Sequence, residues 1–182
     1  MQRAIIAPAA LAPAALDELK AWLGISAASD DAALTALLRA SLDLCEGFTG
    51  TMPLTATCEE VLTATGAWQV LATRPVQAIT LVQGIPAEGV RFTLAASAFE
   101  IELEPDGSAR VRTVQSSAAG RIAVRFVAGL AAEWASLPDA LRHGVLRLAA
   151  AQYRMRDSVD GGPVPPAAVA ALWRPYRRMR LS

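Results

Sequence analysis

At 182 residues the chain can bury a substantial core as one compact domain, and its 17 basic and 17 acidic side chains leave it formally neutral. Hydrophobic residues make up 53% of it, but the excess is alanine, and no run of about 18 uninterrupted apolar residues offers a transmembrane helix. Two cysteines and one histidine argue against a disulfide framework and against a conventional zinc site.

Arg3 is followed by AIIAPAALAPAAL, which has a leader-like look. Pro8 and Pro13 suit a secretory core poorly and a helix follows at once, so a secretory leader is not the favoured reading. The first predicted helix spans about Pro13 to Leu23, with proline at its first turn and Gly24 past its end. The second starts at a cap on Ser29 or Asp30. It carries Leu34, Leu37, Leu38, Ser41, Cys45 and Phe48 at the spacing of a buried face, with Thr35, Arg39, Asp43 and Glu46 opposite. Gly47, Gly50 and Pro53 end helical structure.

From Leu54 to Val127 short runs with a period of two, broken by glycine and proline, predict antiparallel strands. Cys58 falls in one of them and Cys45 on the helical stripe, so both are expected to be buried thiols in a reducing compartment. Within FEIELEPDGSARVRT, Pro105-Asp106-Gly107 reads as a three-residue hairpin loop. That loop pairs Glu102 with Arg110, Glu100 with Arg112, and Ile101 with Val111. One face then alternates in charge, and the other is Phe99, Ile101, Leu103 and Val111. A two-residue loop would mix the faces, so the register is well specified. The simplest reading of the charged row is a solvated face with cross-strand ion pairs. Glu59-Glu60 and Asp30-Asp31 read as solvated or capping pairs.

A further strand over Arg121–Val127 points Ile122, Val124 and Phe126 one way. Then SLPDALRHGVLRLAAAQYRMRD predicts a long helix. Ser136 and Asp139 resemble a capping box, and Leu137, Leu141, Val145, Leu148 and Met155 form the stripe. DGGPVPP is a loop, and Ala167–Leu172 can form a last short helix.

Catalysis has little support. His143 has no nucleophile or carboxylate tied to it by a motif, and reads as structural. Phosphate-cradling glycine motifs are missing. Glu100, Glu102 and Glu104 would need other oxygen ligands to hold a cation. No catalytic residue, metal or cofactor is expected.

The ten residues from Trp173 to Ser182 hold four arginines, a tryptophan, a tyrosine and no acid. Arginine among aromatics can grip nucleic acid by phosphate contact and stacking. The same residues dominate protein interfaces. From Pro138 onward eight arginines face Asp139, Asp157 and Asp160, a modest field with no DNA-binding motif beside it. Docking on a protein is therefore favoured. The alternative is a nucleic-acid-binding module using Arg142, Arg147, Arg154, Arg156 and the tail.

In order along the chain come PAALDELKAWLGI, SDDAALTALLRASLDLCEGFTG, TRPVQAITLV, the hairpin, AVRFVAGL, LPDALRHGVLRLAAAQYRMRD and WRPYRRMRL. Their order and spacing resemble the head–tail connector (adaptor) proteins of long-tailed phages and phage-derived gene transfer agents, over nearly the whole chain. The alanine-rich AAEWA stretch and the sparse aromatics of the β region depart from that pattern. The resemblance implies an α+β fold: an α-helical bundle with an inserted antiparallel β region and an extended C-terminal tail. On it, residues 1–182 form a single adaptor domain, helical over 13–48 and 137–172, with a β insert at about 54–127 and a docking tail at 173–182.

It also implies a non-enzymatic neck protein that forms a ring, typically a dodecamer, between the portal protein and a tail-side neck or stopper protein. The ring extends the DNA channel, and double-stranded DNA passes through without specific binding or any membrane. Trp173, Arg174, Tyr176, Arg177, Arg178 and Arg180 would dock on the portal. Glu100, Glu102, Arg110 and Arg112, or the polar faces of the second and third long helices, would meet a neighbouring subunit or the tail-side partner. The expected location is the bacterial cytoplasm during assembly, then the particle neck.

Overall fold

The computed structural model describes residues 3–114, 119–155 and 165–177. The chain divides into two compact units. One combines the start of the chain, up to Ala9, with Thr55–Leu130, and its described residues form strands and one 3-10 turn (Ala96–Ala98); the other combines Ala10–Leu54 with the chain from Ala131 onward, and its described residues hold the α-helices.

The β unit holds β1 (Arg3–Ala7), β2 (Ala56–Thr63), β3 (Gln69–Val70), β4 (Val76–Pro86), β5 (Phe92–Thr93), β6 (Phe99–Leu103), β7 (Ala109–Thr113) and β8 (Ala119–Ala128). They form a five-stranded sheet in the order β1-β2-β8-β4-β5 and a three-stranded sheet in the order β3-β7-β6. All named pairings are antiparallel. β8 is the central strand of the larger sheet and buries side chains on both faces, Ile122, Val124 and Phe126 together with Ala123. Cys58 and Leu62 of β2 and Val82 of β4 complete this core.

The hairpin forms in the predicted register, with Glu100 opposite Arg112, Ile101 opposite Val111 and Glu102 opposite Arg110. Its loop is built as its residues require. Gly107 has φ 79°, in the left-handed region. Asp106 Oδ1 accepts from the Ser108 amide (2.8 Å) and hydroxyl (2.6 Å). The tip is also held against the start of β4, because the Val76 amide donates to the Gly107 carbonyl at 2.9 Å. A Cβ on Gly107 would come within 2.6 Å of the Pro75 ring, so glycine is required twice over.

The helical unit holds α1 (Pro13–Leu23), α2 (Asp31–Thr49), α3 (Asp139–Arg154) and α4 (Ala167–Trp173). α1 and α2 end on left-handed glycines, Gly24 and Gly50, as C-terminal caps should. α2 runs through Gly47 and buries Leu34, Leu38, Ser41 and Cys45, while Leu37 and Phe48 are only half-buried. α3 packs against α1, α2 and α4, and buries Leu141, Gly144, Val145, Leu146, Leu148, Ala149 and Ala150. An amphipathic stripe predicts one buried face; three neighbours bury most of the circumference.

Several expectations are corrected. The fold is α+β, but it is not a helical bundle carrying an inserted β region: the described residues contain four helices and two antiparallel sheets. The strands build a core of their own, and β1, far from β2 along the chain, pairs with β2 as an exposed edge strand of the larger sheet. The capping box is not formed either. Ser136 lies in a 3-10 turn (Trp134–Ser136), and α3 starts only after Pro138, whose carbonyl accepts the Leu141 and Arg142 amides. Met155, at the end of α3, is 41% exposed and does not join the stripe. Finally, Glu59 and Glu60 are buried, not solvated.

Candidate docking surfaces

Alternation sends Glu59 and Glu60 to opposite faces of β2, and each finds different compensation. Glu60, fully buried, accepts the Ala72 amide, the Thr73 amide and the Thr73 hydroxyl at 2.8–2.9 Å. It fastens the chain between β3 and β4. Glu59 takes Arg91 at 2.7 Å and Arg125 at 3.3 Å. Burial works to raise the Glu59 carboxyl, but hydrogen bonds and charge from Arg91 and Arg125 outweigh it and hold its pKa below the ordinary 4.5. Both are structural sites.

The hairpin's charged face is paired internally. Arg112 Nε lies 2.7 Å from Glu100, and Arg110 reaches Glu102 at 2.9 Å and Glu104 as well. Trp68, just ahead of β3, lies beneath both guanidinium groups, 4.6 Å from Arg112 and 5.7 Å from Arg110. The four residues Glu100, Glu102, Arg110 and Arg112 thus come together as expected, with Trp68 and Glu104 added. On the other face Val111 is buried, while Ile101 and Leu103 are 39% and 48% exposed, because β6 is the edge of its sheet.

The C-terminal strip is split by depth. Trp173 ends α4 fully buried, and its indole Nε1 donates to the Leu141 carbonyl of α3 at 3.4 Å. It is a core side chain of the helical unit, not part of an exposed strip. Beyond it a 3-10 turn (Arg174–Tyr176) leads out, with Arg174 and Arg177 exposed and Tyr176 half-buried. The Phe48 ring of α2 links inside to outside: it lies 6.0 Å from Trp173, and the Arg177 guanidinium sits 5.5 Å above it. Arg178 and Arg180, and Arg156 of the alternative basic set, lie outside the described residues.

The other singled-out residues are ordinary. His143 is half-buried on α3, with its ring edge-on to Trp22 at 5.2 Å. Arg142 pairs with Asp139 at 3.0 Å and lies 4.0 Å from Glu18, while Arg147 and Arg154 are exposed. Cys45 is buried and its thiol is pushed up to about 12 by burial, with Glu46 adding, so it stays protonated. Among the described residues no group of three His, Cys, Asp or Glu could hold a metal ion, and no helix is long and apolar enough to cross a membrane.

Sequence reasoning missed Trp68 beneath the hairpin arginines, Phe48 beneath Arg177, and buried Gly144, where an added Cβ would lie 2.1 Å from the Trp173 indole Nε1. A signal existed for one of them. Glycine inside RHGVLR interrupts an otherwise strong helix, and such a residue commonly marks close packing.

No family model matches the chain, and no curated protein sequence does. Solved structures do. A chain from the neck of an empty GTA particle, computed with C6 symmetry, superposes with a TM-score of 0.79 at 26% identity, covering 100% of this chain and 98% of that one. The chain is similar to a neck component of a gene transfer agent. A chain in the virion of the native gene transfer agent (GTA) particle gives 0.77 at 28% identity, and one in the native neck computed with C12 symmetry gives 0.76 at 28%. Each covers 100% of this chain and 98% of its counterpart. The likeness therefore spans both units.

Proposed function

We propose that this protein is a structural, non-enzymatic neck protein that forms a ring, of twelve copies, between the portal and the tail-side neck component. The observation that carries the reading is the end-to-end similarity to chains in gene transfer agent necks, one of them computed with C12 symmetry. In this reading the ring extends the DNA channel, and duplex DNA slides through it without specific contacts. Assembly takes place in the bacterial cytoplasm before the ring becomes part of the particle.

The docking strip on the portal is Arg174, Tyr176 and Arg177, continued by Arg178 and Arg180, with Trp173 as its buried anchor. Exposed arginines and a half-exposed tyrosine beside a rigid base are the composition that dominates interface hot spots. In a ring, modest contacts repeated on every subunit add through high effective concentration. The hairpin face of Glu100, Glu102, Arg110 and Arg112 is the contact for a neighbouring subunit or the tail-side partner. Its charges already satisfy one another, so it supplies register more than affinity.

The test is copurification from producing cells, comparing the intact chain with one ending after Trp173. Ending there keeps the core residue and removes only the strip. Portal protein should accompany the intact chain and be lost from the shortened one. Normal particles from the shortened chain would sink the reading. Recovery of DNA that salt strips away would favour the nucleic-acid alternative. That alternative is the weaker one, since Arg142 of its basic set is engaged by Asp139 and Glu18.

A further inference from the structure

We infer that Gly144 is the positioning residue of the C-terminal strip: the gap left by its missing side chain seats the Trp173 indole and so sets where Arg174, Tyr176 and Arg177 leave the helical unit. This rests on the portal-docking reading for its consequence, though not for its geometry.

Gly144 lies in the middle of α3, where glycine costs helix stability relative to alanine and no turn requires it. The close approach of Trp173 explains it. A Cβ built on Gly144 would lie 2.1 Å from the indole Nε1, 2.8 Å from Cδ1 and 2.9 Å from Cε2. Those are atoms of a rigid bicyclic ring, which cannot bend aside as a flexible side chain can. The ring is held from the same helix, because its Nε1 donates to the carbonyl of Leu141, one turn before Gly144. It is fully buried, and at ordinary interior packing density it has little room to shift.

The seat matters because the strip begins at the next residue. Trp173 closes α4 and Arg174 opens the 3-10 turn, so the indole is the last fixed point before the docking residues. Phe48 extends that point to the surface, between Trp173 on one side and the Arg177 guanidinium on the other. Removing the notch lifts Trp173, loosens the Phe48 contact and lets the strip sample many directions. A strip held in its bound direction avoids the ordering cost of docking; a loosened one does not.

Gly144→Ala, Trp173→Ala and the double variant are compared with the intact chain by thermal unfolding, and their affinity for portal protein is titrated where far-UV circular dichroism shows each folded. In the intact background Gly144→Ala should lower Tm by several degrees. In the Trp173→Ala background the same change should leave Tm unchanged or raise it, as alanine ordinarily does in a helix. Gly144→Ala that raises Tm in the intact background would overturn the seat. If Gly144→Ala does not fold alone, Gly144→Ala with Trp173→Leu should recover folding, and failure to recover would also overturn it.

Positioning has its own readout. Folded Gly144→Ala keeps every residue of the strip yet should bind portal about tenfold more weakly or worse; wild-type affinity would overturn the positioning role. The triple variant Arg174→Ala, Tyr176→Ala, Arg177→Ala separates the two failures. If the triple variant binds portal normally, the docking reading is wrong and positioning falls with it, while the melting comparison still decides the seat.

Discussion

The hairpin and the C-terminal strip use the same side chains to opposite ends. In the hairpin, Arg110 and Arg112 lie over Trp68, and each faces a glutamate across the strand pair. In the strip, Arg177 lies over Phe48 beside a buried Trp173, and no acid occurs from Trp173 to Ser182. The first arrangement cancels its own charge. The second holds Arg177 over a rigid apolar base, in a stretch of sequence that carries no acid of its own. An arginine-aromatic cluster is therefore informative only once its acids are located.

The largest expected effect lies at the base of the strip. Trp173→Ala removes a fully buried indole and should destabilise the helical unit by about 3–5 kcal/mol in chemical denaturation. No loss of stability would mean that Trp173 is a surface residue like Arg174 and that the strip has no buried base.

A contrasting result is expected one residue on. Arg174→Ala with Arg177→Ala should leave stability within about 0.5 kcal/mol, as exposed substitutions usually do, yet abolish copurification with portal protein. Equal loss of stability in both variants would make the strip structural throughout.

The hairpin should behave differently again. A double-mutant cycle between Glu100 and Arg112 should yield a coupling of roughly 0.2–1 kcal/mol that fades at high salt. A coupling that grows on ring assembly would show this face buried between subunits.

The smallest effect concerns acid. Because the folded pKa of Glu59 lies below its ordinary 4.5, its ionised form contributes stability that is fully present above that value and is lost as pH falls through the lower, folded one. Glu59→Gln should therefore flatten the acid limb of a stability-pH curve. An unchanged limb would mean that the Arg91 and Arg125 contacts contribute nothing to it.

Local chemistry made some of this legible. The Pro105-Asp106-Gly107 loop and the alternation around it dictate pairing with no help from elsewhere, and the register came out as read. The Leu34, Leu38, Ser41, Cys45 stripe of α2 is likewise a matter of helical period. β1 was not legible: RAIIA has no alternation and lies in front of prolines, and it is a strand only because β2 offers it an edge. Nor was the burial of Glu60, since a carboxylate can be buried only where donors such as Ala72 and Thr73 converge on it. The helical-bundle expectation failed for a related reason, since local patterns do not say which elements share a core.

The sequence by itself determined the elements whose residues answer to near neighbours: the hairpin register, the α2 stripe, the glycine ends of α1 and α2, and a cationic terminus without acids. Only the tertiary structure decided which cationic and aromatic residues are placed inside and which remain exposed. Trp173 reads from sequence as the first residue of a sticky tail, and becomes a core residue because α3 carries a glycine where the indole arrives. Depth is a property of what packs against a side chain, and that partner lies far away along the chain.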